Sequence, residues 1–146
     1  MQNRKGNTLR GIATLPDGVE KMPCVLLLHG FGGSAAGYKG LNIRIARDLA
    51  EAGIACIRFD FYGNGESDGE FEDMTFTGLY EDAEDMFRWM GQQSFANPDK
   101  LFLSGQSMGG YALWQLAMSM PEYFAAIAPI CGGGMYWNAQ DRKSVV

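Results

Sequence analysis

The 146-residue sequence predicts an α/β fold, with a mostly parallel sheet carrying helices on both faces. Two observations point there. Short apolar runs that end in glycine alternate with stretches whose apolar residues recur every three or four positions. That alternation is the signature of right-handed strand–helix–strand crossovers. No internal repeat and no linker interrupts it, so a single domain is expected.

Leu9 to Leu15 reads as a first strand, closed by the turn Pro16-Asp17-Gly18. Cys24 to His29 is a continuous apolar run followed by Gly30, as expected of a strand buried on both faces. Leu41, Ile45, Leu49 and Ala52 share one helical face, and Gly53 is the stop signal. Ile54 to Phe59 is strand-like again and opens into the loop Asp60-Phe61-Tyr62-Gly63-Asn64-Gly65. Phe76, Leu79, Tyr80, Ala83, Phe87 and Met90 form an apolar helical stripe, with Glu81, Asp82, Glu84 and Asp85 on the opposite, solvent side. Asn97-Pro98-Asp99 predicts a turn and Leu101 to Ser104 a short strand. Ala112, Leu113, Leu116, Ala117 and Met120 mark a helix halted by Pro121, and Phe124 to Cys131 is a final strand before Gly132-Gly133-Gly134.

Composition narrows the function. With 47% apolar and 20% charged residues, the chain can bury a core, which excludes a disordered tail, a collagen-like repeat or a disulfide miniprotein. A net charge of -5 argues against a general nucleic-acid or anionic-membrane binder. Ten of the 17 carboxylates lie between Asp60 and Asp85 with no Lys or Arg among them, the pattern of a solvated loop and helix face. Asn64, Glu66, Asp68 and Gly69 echo a calcium loop, but its twelfth position is Thr75, which cannot close the coordination sphere. No metal and no organic cofactor is expected. Cys24, Cys56 and Cys131 all sit in apolar settings and read as buried free thiols, which favours a reducing compartment. The N-terminus lacks the apolar core of a signal peptide, and no apolar stretch approaches the ~18 residues of a membrane span. A cytoplasmic protein is the expectation.

The chemistry concentrates in Gly105-Gln106-Ser107-Met108-Gly109, a G-x-S-x-G pentapeptide between a predicted strand and a predicted helix. A Ser at such a sharp turn is held in a strained conformation that exposes its hydroxyl, and small flanking residues let neighbouring segments pass. A nucleophilic Ser needs two N–H donors facing the oxyanion. Met108, the next residue, supplies one. His29-Gly30-Phe31-Gly32-Gly33 follows the most apolar strand, which makes the Phe31 backbone the other candidate. His29 invites the role of general base. Ending a buried strand, it is expected instead to hold its loop through hydrogen bonds.

These segments, together with Arg58-Phe59-Asp60-Phe61-Tyr62-Gly63-Asn64-Gly65-Glu66-Ser67-Asp68-Gly69 and Phe71-Glu72-Asp73-Met74-Thr75, resemble an α/β-hydrolase. The similarity runs from about Leu9 to Pro129 and is greatest to the bacterial feruloyl (cinnamoyl) esterase branch. It implies that Ser107 is the nucleophile, that the Phe31 and Met108 amides form the oxyanion hole, and that a small-molecule ester is the substrate. It also implies that the acidic 71–75 segment is structural and leads into a helix. The stretch from Met108 through Gly134, with Pro129-Ile130-Cys131-Gly132-Gly133-Gly134-Met135-Tyr136-Trp137, is closer to secreted-esterase and predicted-peptidase relatives, so ester and amide substrates both stay open.

The resemblance further implies a triad order of Ser, then Asp or Glu, then His. After Ser107 the chain has Glu122 and Asp141 but no His, its single His being His29. Residues 1–140 are therefore expected to be the N-terminal portion of one hydrolase domain, with the triad acid and His outside this chain and the fragment itself inactive. Residues 141–146 fit no element and resemble a translated sequencing adapter, so they are expected to be a non-native tail. A sheet ending at the Phe124–Cys131 strand would leave an apolar edge exposed to aggregation. Two other functions are weighed. A noncatalytic, hydrolase-like binding module fits the missing base. A dinucleotide-binding oxidoreductase fits Gly30-x-Gly32-x-x-Ala35 with Asp60, although Asp60 lies farther along than the ~20 residues that fingerprint expects.

Overall fold

The structure is a computed structural model, and it describes residues 1–18 and 20–132. Five strands form one sheet: β1 (Gly11–Thr14), β2 (Met22–Leu28), β3 (Ala55–Phe59), β4 (Ala96–Gln106) and β5 (Ala126–Ile130). Their spatial order is β1-β3-β2-β4-β5, with β1 antiparallel to β3 and every other pair parallel. Three helices connect them: α1 (Leu41–Glu51), α2 (Phe76–Gly91) and α3 (Met108–Ser119). The predicted α/β fold with a mostly parallel sheet and helices on both faces is what the chain adopts.

Strand pleating divides the core. Leu26 and Leu28 on β2, Ile57 on β3 and Leu103 on β4 face one side, where α2 and α3 cover them with Leu79, Ala83, Met86, Phe87, Leu113 and Leu116. Leu27 and Cys56 face the other, against Ala46, Ile45 and Leu49 of α1. Because β2 and β3 are covered on both sides, they read as unbroken apolar runs rather than alternating ones.

Helix α2 begins at Thr75, whose Oγ1 accepts the Gly78 N–H at 3.0 Å and so satisfies one of the helix's orphan donors. Its buried residues Leu79, Asp82, Ala83, Met86, Phe87 and Met90 recur at helical spacing. Two expectations fail here. Phe76 is exposed, because it lies in the first turn beyond the edge of the sheet contact. Asp82, placed on the solvent face by its polarity, is only 3% exposed. It is tolerated inside because its carboxylate accepts the Asn3 side-chain amide at 2.7 Å and the Tyr62 N–H at 3.0 Å.

Elsewhere the acidic stretch is solvated at Glu66, Glu70, Glu72 and Asp73 and ion-paired at Asp68, Glu81, Glu84 and Asp85. The N-terminal segment lies along α2, with Arg4 bridging Glu84 and Asp85 and Lys5 reaching Glu81. Arg10 pairs with Asp68 and Arg88 with Glu84. Asn97, Pro98 and Asp99 fall inside β4 rather than outside it. Asn97 Oδ1 does accept the Asp99 N–H at 3.0 Å, a local turn that coincides with the register shift between Met22 and Cys24 on the neighbouring strand. The first strand is shorter than Leu9 to Leu15 and the last shorter than Phe124 to Cys131, while α3 starts four residues before Ala112. Cys24 and Cys56 are buried thiols, each pushed up to about 11 by burial. Cys131 is exposed, since it follows the end of β5 rather than lying within it. β5 is an outer strand of the described sheet, alternately exposed and half-buried. The expectations for residues 133–146, including the 141–146 tail, lie outside the described residues.

Candidate active site

The chain runs from β2 through α1 to β3 on one side, then through α2 past β2 to β4 on the other. β2 and β4 are thus neighbours whose following segments leave to opposite faces of the sheet, and a crevice opens between them at their carboxyl ends. In open α/β sheets this switch point is where ligands bind. Leu28 on β2 pairs with Gly105 on β4, so the Gly30–Gly33 loop and Ser107 emerge side by side. They line an open cleft of about 660 Å³ together with His29, Tyr38, Lys39 and Gln106.

Ser107 stands between β4 and α3 with φ 50° and ψ -114°, a conformation few non-glycine residues adopt, and it is exposed. Its own N–H donates to Ile130 O on β5 at 2.9 Å, and its carbonyl accepts the Tyr111 N–H at 3.1 Å. The turn is therefore fastened from both sides while the side chain makes no cap to the helix.

Two glycines make the sharp turn fit. A Cβ on Gly109 would lie 2.7 Å from the carbonyl oxygens of Leu28 and His29, and one on Gly105 would collide with the Gly109 backbone. The helix can approach β2 this closely only without those carbons. Among the described residues the N–H groups of Phe31 and Met108 have no hydrogen-bond partner. Met108 opens α3, so its amide carries the partial positive charge of a helix N-terminus. The Phe31 side chain is 64% exposed and packs edge-on against Phe71 at 5.1 Å.

His29 is 1% exposed, with both ring nitrogens engaged. Nδ1 lies 2.8 Å from Gly30 O, which can only accept, so Nδ1 carries the proton. Nε2 accepts the Phe61 N–H at 3.2 Å. Burial holds the imidazole below its ordinary range, partly offset by the Gly30 carbonyl and the Asp60 charge. The ring is neutral and has no free lone pair for a hydroxyl proton. It ties the loop after β2 to the loop after β3, as the sequence led us to expect.

A second tie is absent from the sequence reading. Asp60 is buried at the end of β3, and its two carboxylate oxygens accept the N–H groups of Ala35 and Glu66. Arg58 Nη1 donates to the Ala35 carbonyl at 3.1 Å, so Ala35 is gripped at both ends of its residue. A polar acid directly after a fully buried strand needs hydrogen-bond donors, and here backbone N–H groups supply them. Buried and turned onto these two amides, Asp60 does not line the cleft and is not presented to a nucleotide hydroxyl. Of the calcium-loop residues, Asp68 is engaged: it accepts from Arg10 and the Thr8 N–H and is held below the usual carboxylate range chiefly by Arg10. Among the described residues no cluster of His, Cys, Asp or Glu could hold a metal ion. None of the described helices is long and apolar enough to cross a membrane.

Comparison with known proteins agrees with this geometry. An uncharacterized 31.7 kDa protein of Escherichia coli is 34% identical over 97 residues, covering 66% of this chain and 32% of that protein. Dipeptidyl aminopeptidase BIII of Pseudoxanthomonas mexicana is 29% identical, covering 89% of this chain and 20% of that protein. Among solved structures, Est1E from Butyrivibrio proteoclasticus, determined with ferulic acid bound, superposes with a TM-score of 0.80 at 26% identity, covering 87% of this chain and 50% of that one. The chain thus spans half the length of that structure and a third or less of the curated relatives. A family model described as serine aminopeptidase, S33, matches residues 20–144, and with the sheet order and the Ser107 turn this makes the chain a member of that family, within the α/β-hydrolase superfamily.

Proposed function

We propose that this chain carries the nucleophile and oxyanion hole of a serine hydrolase that cleaves carboxylic esters through an acyl-enzyme. The observation that carries this is Ser107 itself: exposed, at φ 50°, facing the cleft at the N-terminus of α3. In the proposed reaction the Ser107 hydroxyl attacks the ester carbonyl. The Phe31 and Met108 amides receive the charge that develops on its oxygen, which is worth roughly 3–4 kcal/mol for each donor. Alcohol departs, and water then hydrolyses the acyl group from Ser107.

The proton acceptor for Ser107 is not His29, whose lone pair is committed to Phe61, and no other His is present. The proposal therefore assigns the triad base and acid to sequence outside these 146 residues. It leaves this chain with only the weak residual catalysis of binding and oxyanion stabilisation. A cytoplasmic location belongs to the same reading, supported by the two buried free thiols Cys24 and Cys56. The family's description favours a second reading, in which the acyl group is passed from an amide. The two share Ser107 and differ in leaving group.

A fluorophosphonate probe tests the proposal. In a protein extended by its downstream sequence, Ser107 should be labelled rapidly and S107A not at all, while this chain alone is labelled slowly. Matched p-nitrophenyl ester and p-nitroanilide substrates then separate the esterase from the peptidase. Equal, slow labelling of both lengths would sink the proposal.

A further inference from the structure

We propose that Lys39 makes the cleft selective for substrates bearing a carboxylate away from the scissile bond, an inference that rests on the ester-hydrolase reading of Ser107. Among the described residues lining the cleft, Lys39 is the one charged side chain, although the chain as a whole carries a net charge of -5. Of the acids near the cleft in sequence, Glu66 is exposed beside Gly65 but does not line the cleft. Asp60 is buried and turned onto the Ala35 and Glu66 amides, and the acids of α2 are matched by Arg4, Lys5 and Arg88. Lys39 itself has no ion-pair partner among the described residues, and its Nζ sits 5.3 Å from the centre of the Tyr38 ring. Tyr38 is 77% exposed at the same rim.

The backbone that presents this pair is unusual. Gly37, Lys39 and Gly40 all have left-handed φ values, of 70°, 49° and 73°. Glycine takes such angles freely. A lysine takes them against steric resistance, and non-glycine residues in such regions cluster at ligand sites. Phe71, in edge contact with Phe31, is flanked by exposed Glu70 and Glu72, and none of the three lines the cleft. A substrate anion that enters the cleft thus meets one cationic side chain, Lys39, and no anionic one among the described lining residues. Two unit charges about 4 Å apart in water interact strongly enough for a roughly three- to fivefold preference.

The test needs no turnover. This chain is titrated at low ionic strength with phenylacetate and with its neutral counterpart phenylacetamide, following the ¹H–¹⁵N signals of Gly30, Gly32, Gly33 and Gln106. Phenylacetate should bind about three- to fivefold more tightly, and added salt should erase the difference. K39M, which keeps the stem and drops the charge, should equalise the two, and K39E should favour the amide. Retained signal dispersion verifies that each variant is folded. Equal binding to the unmodified chain, a preference that survives K39M, or no shift at these amides with either compound overturns the proposal. A failure of the ester-hydrolase reading has a different signature: Ser107 unlabelled by fluorophosphonate in the extended protein, with the charge preference intact.

Discussion

Replacing Asp60 by Ala removes two acceptors from the interior at once. The Ala35 and Glu66 N–H groups would each lose the carboxylate oxygen that now receives them. A buried donor left unsatisfied costs about 1–3 kcal/mol, so two of them, offset by whatever water enters the space, predict a loss of roughly 2–5 kcal/mol. The loss should be local in origin. Ala35 would still be held through its carbonyl by Arg58, and the 60–69 loop would keep its ties from Ser67 Oγ to the Asp60 carbonyl and from Asp68 to Thr8 and Arg10, which the substitution spares. Urea denaturation measures the total, with an unchanged slope showing that compactness is preserved. Amide hydrogen exchange at Ala35 and Glu66 locates it, and their protection should fall further than that of Leu26 or Leu103 in the core. A loss below about 1 kcal/mol, or unaltered protection at both amides, would refute the claim that this carboxylate fastens the two loops that frame the cleft.

Other outcomes follow from the same contacts. His29 is held neutral by burial below its ordinary value of 6.5, so the unfolded chain takes up a proton first as pH drops. Stability is therefore full above 6.5 and declines below it, until the folded-state imidazole itself is protonated, and H29Q should flatten that decline in denaturation curves recorded across the acid range. Asn3→Ala strips one of two donors from buried Asp82 and should cost about 1–3 kcal/mol, whereas Arg4→Ala, which breaks half-exposed ion pairs, should cost under about 1 kcal/mol and vanish in high salt. Thermal melts at two salt concentrations separate the two variants. Ser107→Gly should relieve a strain of about 1–3 kcal/mol, against about 0.4–1 kcal/mol of added unfolded-chain entropy. Its melting temperature should match or exceed that of the parent, and a clear drop would show that the turn at φ 50° is unstrained.

Elements governed by a single periodicity were plain in the sequence: β2 and β3 as apolar runs, α1 and α2 as stripes. So was the Ser107 turn, because its pentapeptide carries the small residues a sharp strand-to-helix turn needs, although the contact that requires Gly109 is to distant Leu28 and His29. What escaped were polar residues whose role is decided by partners far along the chain. Asp82 looks like surface until Asn3, 79 residues away, and Tyr62 supply its donors. Asp60 likewise bonds to Ala35, 25 residues distant. Residue type gives the cost of burying such groups, and only the assembled fold gives the compensation. The Asn97–Asp99 segment was misjudged for another reason: its local turn chemistry is real, but the pairing of β4 with β2 continues around it.

The bond from the Ser107 amide to Ile130 has a dynamic consequence. Outer strands open and close more readily than inner ones, so each excursion of β5 briefly unlatches the bend at Ser107. Solvent exchange at that single amide would then act as a clock for the margin of the sheet. Any partner surface that clamps the margin would, without touching the cleft, sharpen the aim of the Ser107 hydroxyl.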